Sequence, residues 1–291
     1  MSHRRLITVV IALTFVVLIS FVVLYIPNKS NYNQTENTIV NSFVENFDSK
    51  SLDKLEDWQK EFAGDDSAIF VEEPVRKGKY ALKLTLRKGD IVNNGNRAEI
   101  VIKNNAPFGS EVYYAWSFFI PEEYIDWTSW KGDKYTIRDP WQTLGQWHHE
   151  PNFAKGETWK THGIRPPTIS LHYGILDDGS PAVAIDKYGK DEEKRKVAFK
   201  RIDKGKWYDF VIHIRWSLEK DGFIEAWLNN EPFEILLGEK REGNKILGQT
   251  MFNELPHFFK VGLYRNRDID STNIIYIDEI KTGKSYAEVS V

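Results

Sequence analysis

From Phe43 onward the hydrophobic positions recur with a period of two. Leu82, Leu84 and Leu86 alternate with Lys83, Thr85 and Arg87. Val112, Tyr114, Trp116 and Phe118 alternate with Tyr113, Ala115, Ser117 and Phe119. Trp207 to Trp216 places Phe210, Ile212 and Ile214 on one side and Val211, His213 and Arg215 on the other. Phe223 to Leu228 and Ile274 to Ile280 continue the pattern. Alternation of this kind puts successive side chains on opposite faces of a strand. About ten such runs, separated by Gly, Pro, Asn or Asp turns, predict an antiparallel sandwich or jelly roll rather than alternating strands and helices. Ser51 to Glu61 is at most a short helix. Two insertions, Glu122 to Trp141 and Asn152 to Pro167, interrupt the rhythm, and long loops on a rigid β scaffold tend to carry function.

The N-terminal pattern differs. Leu6 to Ile26 is a 21-residue apolar run interrupted only by Thr8, Thr14 and Ser20. That length spans a bilayer as a helix. His3, Arg4 and Arg5 precede it, so the chain that follows is expected outside the cytoplasm. The run exceeds the apolar core of a cleaved signal peptide, and no small-x-small cleavage site follows it. The expected organisation is a cytoplasmic stub over 1–5, a signal-anchor over 6–26, an Asn/Thr/Ser-rich linker over 27–41 and a β domain over 42–291. If the anchor is cleaved, the domain is secreted.

The chain has 291 residues with 28% charged and 41% hydrophobic residues, which excludes a disordered chain and a multi-span membrane protein. Cysteine is absent, which removes disulfides, a thiol nucleophile and Cys-ligated zinc. The net charge of −3 argues against a general nucleic-acid binder. Residues 1–37 hold Arg4, Arg5 and Lys29 against Glu36, so the rest of the chain carries the negative excess.

Three short motifs carry candidate chemistry. In Asn96-Arg97-Ala98-Glu99-Ile100, Arg97 and Glu99 share one strand face while Ala98 and Ile100 face the core. In Gln146-Trp147-His148, Gln146 and His148 project together. In Phe258-Phe259-Lys260-Val261-Gly262-Leu263-Tyr264-Arg265-Asn266, Lys260, Gly262 and Tyr264 share a face, and Gly262 leaves a gap between a cation and a phenol. Taken singly, each also fits an exposed ion pair, a packed Trp beside an exposed His, or a Tyr at a sheet edge.

Together and in this order, over roughly Phe43 to Gly283, the motifs resemble the jelly-roll polysaccharide lyases of the heparin lyase I and glucuronan lyase type, with alginate lyases more distant. Those proteins carry an R-x-E strand, a Q-x-H strand and a late F-K-x-G-x-Y strand. The resemblance implies a concanavalin-like β-jelly roll and cleavage of a uronic-acid polysaccharide by β-elimination. That reaction needs cationic or hydrogen-bonding groups on the uronate carboxylate, a base at C5 and an acid at the departing O4. Arg97 and Gln146 are the candidate clamp, His148 the base, and Tyr264 the acid or a second base. For the latter role, Lys260 and Arg97 would have to make the phenolate more accessible. Lys260 is a second carboxylate contact, and Glu99 is expected to orient Arg97. His172, Trp141, Arg138 and Arg265 are further candidates for substrate contact, and Trp127, Trp130, Lys131, Lys134, Arg165 and Arg267 lie near the motifs or in the long loop. No cofactor is required. The resemblance also points to Asp278 as a place where early turns could hold a structural Ca²⁺ with backbone oxygens. The expected partner is an anionic polysaccharide, bound by a monomer. A noncatalytic sugar-binding sandwich is the first alternative. A glycoside hydrolase using acids among Glu219, Asp221 and Glu225 is the second, although an Asp-Gly hairpin would split them between strands.

Overall fold

The computed structural model describes residues 42–52, 58–102, 106–128, 130, 140–163, 165–189 and 195–291. The expected stub, anchor and linker over 1–41, and Lys131, Lys134 and Arg138, lie outside the described residues. Among those described, no helix is long and apolar enough to cross a membrane.

The domain is an all-β sandwich of two antiparallel sheets, an architecture that fits a jelly roll. The first sheet runs β15 (Glu234–Ile235), β11 (Arg195–Arg201), β10 (Pro181–Lys187), β9 (Ile169–Ile175), β8 (Gln142–His148), β18 (Phe258–Arg265), β6 (Gly95–Ile102) and β2 (Trp58–Glu61), with β5 (Ile91–Val92) on β6. The second runs β16 (Arg241–Glu242), β17 (Lys245–Leu247), β13 (Phe223–Leu228), β12 (Trp207–Arg215), β7 (Glu111–Phe119), β19 (Asn273–Gly283), β4 (Ala81–Leu86) and β3 (Ala68–Val71). β1 (Phe43–Glu45) pairs with β19, and β14 (Glu231–Pro232) with β13. Several strands have only two to four residues, too short for alternation to be visible in sequence.

The alternating positions meet between the sheets. Leu82, Leu84, Leu86, Tyr114, Trp116, Phe118, Phe210, Ile212 and Ile214 are buried there, together with Ala98, Ile100, Trp147, Phe259, Val261 and Leu263 from the motif strands. Trp147 stacks on Phe259 with ring centroids 5.0 Å apart, and the two are register partners. A slip of one residue would expose both rings, so this pair pins β8 against β18. In that register Gln146 lies opposite Lys260 and His148 opposite Phe258. On the other flank Tyr264 lies opposite Arg97 and Gly262 opposite Glu99.

One expectation fails locally. Trp58–Glu61, the end of the expected short helix, forms β2 and pairs with β6, placing Glu61 opposite Glu99. Edge pairing on a hydrogen-bonding neighbour outweighs a weak helical tendency.

Candidate active site

The core-facing residues of β6, β8 and β18 leave Arg97, Glu99, Gln146, His148, Lys260 and Tyr264 on the sheet's outer face. Glu61 joins them from β2. Burial there is deep: Glu99 is fully covered, and Arg97, Gln146, Lys260 and Glu61 are buried. Tyr264, His148 and Trp141 are half-buried and form the accessible part.

Glu61 is the hub. Its Oε2 accepts from Arg97 Nη1 at 3.0 Å and from Lys260 Nζ at 2.7 Å, while Oε1 accepts from Asn93 Nδ2 at 2.8 Å. Burial pushes its carboxyl up, but Lys260, Arg97 and Asn93 outweigh that and hold it below the usual carboxylate range. Glu99 is the second anion: Oε2 accepts from Arg97 Nη1 at 3.2 Å and Oε1 from Gln146 Nε2 at 2.5 Å. Full burial pushes the Glu99 carboxyl up despite Lys260 and Arg97. Glu99 thus accepts from both Arg97 and Gln146. Two carboxylates thus offset two cations, and dry charges of this kind persist only when paired.

Above this layer lies Tyr264. The Arg97 guanidinium carbon sits 4.0 Å from its ring centroid, and Trp141 meets the ring edge-on at 4.6 Å. Burial raises the Tyr264 phenol above its ordinary 10, and the Arg97 charge opposes but does not reverse this. Desolvation therefore dominates at Tyr264 and works against the expected easing of its ionisation by Lys260 and Arg97. Beside Tyr264 and Trp141 opens a cleft of about 310 Å³, bordered also by Gly95, Asn96, Arg265, Asn266, Arg267 and Asp268.

His148 occupies the other end. Its Nδ1 lies 2.6 Å from the His149 carbonyl oxygen, which can only accept, so Nδ1 carries the proton and Nε2 the lone pair in the neutral ring. Burial lowers its pKa to about 4 against the pull of the His149 carbonyl, so the ring is neutral at physiological pH. It stacks on Phe258, 5.7 Å between centroids, and on His149, 4.7 Å. His149 lies in turn near His162 and His257, a gathering from three separate stretches that no sequence spacing announces.

Other expected residues divide. His172 projects to the same face but is buried in the floor, 2.8 Å from Ser170 Oγ and 3.4 Å from Asp186 Oδ2. Arg265, expected to contact substrate, borders the cleft, but its guanidinium is engaged within the fold. One residue past Tyr264 it points the other way and is fully buried, and its guanidinium donates to Asn96 Oδ1, Asn273 Oδ1 and the Ser271 carbonyl. Trp130 is buried and packs on Ala182, Ala184 and Gly174, whereas Trp127 is partly exposed and donates to Ser271 Oγ at 2.8 Å. The acids weighed for hydrolysis belong to the second sheet, Glu225 on β13 and Glu219 and Asp221 in the turn before it. Asp278 also lies in the second sheet. The residues around it do not fit the implied Ca²⁺: the early turn approaches with amide N–H groups, Arg76 and Lys77 donating to Oδ2 and Glu279 to Oδ1, where a cation needs carbonyl oxygens. Among the described residues no group of three or more His, Asp or Glu is placed to hold a metal.

The gap at Gly262 also has a different cause. Its φ is +144°, and a Cβ would stand 2.3 Å from the Ala98 carbonyl oxygen. Glycine there lets β6 and β18 close at a register irregularity in the β18–β8 ladder rather than opening room for ligand.

The model of the polysaccharide lyase family matches residues 44–281, most of the chain and every strand of the site. The chain belongs to the polysaccharide lyase family. It is accordingly a lyase acting on polysaccharides. A search of curated proteins gave no match. Among solved structures the lyase is similar in fold to an endo-β-1,4-glucuronan lyase from the fungus Trichoderma reesei, at 18% identity and TM-score 0.59, covering 85% of this chain and 97% of that one. It is also similar to a variant of alginate lyase Aly36B in complex with an alginate trisaccharide, at 14% identity and TM-score 0.54, covering 84% and 98%. A PL-14 alginate lyase from Aplysia kurodai follows at 11% identity and TM-score 0.50, covering 84% and 99%.

Two residues of the lyase site escaped the sequence reading. Glu61 was hidden because its segment read as helical. Gly95 precedes the R-x-E motif by two positions, and a Cβ there would stand 2.4 Å from Arg97 Nη2 and 2.7 Å from Tyr264 Cε2. Its missing side chain is what lets the guanidinium lie under the phenol ring. A glycine two residues before the motif arginine, on the same strand face, is the signal that could have found it.

Proposed function

We propose that this lyase cleaves a uronic-acid-containing polysaccharide by β-elimination. The observation that carries the reading is the gathering of Arg97, Gln146, Lys260 and Tyr264, from three adjacent strands, on one face of one sheet.

The C5–H bond breaks, its proton goes to the base, and the electron pair forms the C4–C5 double bond. The C4–O4 bond breaks as O4 takes a proton from the acid. Charge builds on the uronate carboxylate meanwhile, so fixed positive and hydrogen-bonding groups lower the barrier. His148 lies six β18 positions from Tyr264, about 20 Å of extended strand, so it does not reach the same C5 and O4 and its expected role as base is withdrawn. Tyr264, half-buried beside the cleft with the Arg97 guanidinium against its ring, takes the C5 proton as phenolate and returns it to O4. Arg97 and Gln146 form the carboxylate clamp with Lys260 behind them, and Glu61 and Glu99 hold that layer in register. Arg97 Nε is buried without an acceptor, a donor the carboxylate would satisfy. All steps use side chains alone.

The export reading completes the proposal: residues 6–26 anchor the chain in the membrane, and the monomeric lyase domain meets its anionic substrate outside the cytoplasm, or is secreted if the anchor is removed.

The test is a panel of glucuronan, alginate and glycosaminoglycan substrates followed by the ultraviolet absorbance of the new conjugated double bond. Wild-type protein is expected to generate it on at least one uronan. Tyr264→Phe, with folding checked by circular dichroism, is expected to lose about 10²-fold or more of that rate. New reducing ends without absorbance would establish hydrolysis instead, and binding without either product would establish a noncatalytic module.

A further inference from the structure

The insertion at Asn152–Pro167 plays no part in the chemistry above, yet it borders the site at the His148 end. It is firmly built. Asn152 N–H donates to Glu157 Oε2 at 2.8 Å, and the Asn152 side chain accepts from Lys155 N–H at 3.1 Å. A helical turn, α1 (Trp159–His162), is capped by Thr158 and Thr161 accepting from each other's backbone N–H groups. His162 is buried against His149 and Phe252, and Arg165 Nε donates back to the His162 carbonyl at 3.1 Å. On this framework Trp159 is 53% exposed, a large apolar ring left in solvent although its supports are buried. Its centroid is 6.4 Å from that of His148. Lys160 and Arg165, both exposed, follow it in the chain, the Arg165 guanidinium lying 4.4 Å from the Phe252 ring centroid.

At the opposite end of the same strands, Trp141 stands against Tyr264. His148 pairs with Phe258 and Tyr264 with Thr143, so the two aromatic walls bracket the length of β18 from 258 to 264. That is about 20 Å of extended strand, room for several linked sugars. An exposed aromatic ring suits a uronate residue, whose ring offers apolar C–H faces, and the exposed Lys160 next in sequence adds positive charge for its carboxylate.

We infer that Trp159 is a sugar-stacking platform that forms a distal uronan subsite, beyond His148 and opposite the Trp141 end, so that the lyase grips a chain across its reacting bond and attacks internally. The inference rests on the uronan-lyase reading. Because the insertion is pre-formed, the platform adds affinity without ordering a loop. It acts on polymer capture rather than on proton transfer.

The experiment compares Trp159→Ala and Trp159→Phe with wild type on uronan polymer and on a size ladder of its oligosaccharides, with product sizes followed over time. Binding is measured separately by affinity electrophoresis in a Tyr264→Phe background, which removes turnover. Trp159→Ala is expected to raise KM for polymer about tenfold with kcat within about twofold. The penalty should vanish on the shortest oligosaccharide cleaved, and Trp159→Phe should recover most of the loss. Unchanged KM on polymer in Trp159→Ala overturns the inference and leaves the lyase reading intact. So does an equal loss on every chain length, which would mean that the reacting site itself had moved. If wild type forms no unsaturated product but Trp159→Ala weakens uronan binding, the subsite stands and the elimination reading falls. If wild type neither binds nor cleaves any uronan, both fall.

Discussion

Glu61 holds two cations on one oxygen, and that places a burden on a residue no motif contains. Arg97 and Lys260 are both buried, and each would repel the other without the carboxylate between them. Glu61→Gln keeps the shape but removes the charge. It is expected to lower kcat/KM by about 10-fold or more while retaining the fold, and Glu61→Ala should also lower the melting temperature. Gly95→Ala tests the neighbouring contact: the new methyl would push Arg97 and the Tyr264 ring apart, and steady-state kinetics should show a fall in kcat of about 10²-fold with little change in stability. The pH dependence follows from the same environment: burial raises Tyr264 above its ordinary value, so kcat/KM should still be climbing as pH approaches 10, and a plateau reached by neutral pH would remove the Tyr264 phenolate from the role of base. The residue types of the chemistry were legible in the motifs, since alternation alone assigns Arg97, Glu99, Gln146, His148, Lys260 and Tyr264 to one face. Their protonation was not, because desolvation depends on neighbours from other strands.

At the scale of elements, three strands and one stacked pair decide the site. Trp147 on Phe259 sets the β8–β18 register, and Gly262 sets the approach of β18 to β6. Gly262→Ala combines a positive φ with a backbone clash and is expected to cost upward of about 2 kcal/mol in denaturant unfolding. Arg265 illustrates the period of two acting against a sequence guess. A basic residue next to Tyr264 looks useful for an anionic ligand, but it must face away, and there it ties β6 to the turn before β19 through Asn96, Asn273 and Ser271. Arg265→Met should leave those partners unsatisfied and destabilise by about 3 kcal/mol, with KM unchanged in the fraction that stays folded. Substrate contact by this residue would produce the reverse: a raised KM at full stability. β2 shows the complementary failure. Four residues are too few to display alternation, and only pairing with β6 makes them a strand.

For the molecule as a whole, the sandwich was written along the chain. Period-two alternation, turn residues between runs and abundant core aromatics leave few ways to bury the apolar faces except sheet against sheet, and this requires no cysteine. The motif faces follow from the same local geometry, since a strand's side chains alternate whatever surrounds it. What tertiary structure alone decided is everything set by contacts between distant segments. It recruited Glu61 to the site, it turned the Arg76–Lys77 turn toward Asp278 with N–H groups instead of carbonyls, and it seated Trp130 in packing while leaving Trp159 in solvent. It also biased both His148 and Tyr264 toward their uncharged forms by burial. The physical reason is range: strand periodicity is a property of consecutive peptide units, whereas charge pairing, desolvation and exposure arise only when strands far apart in sequence are laid side by side.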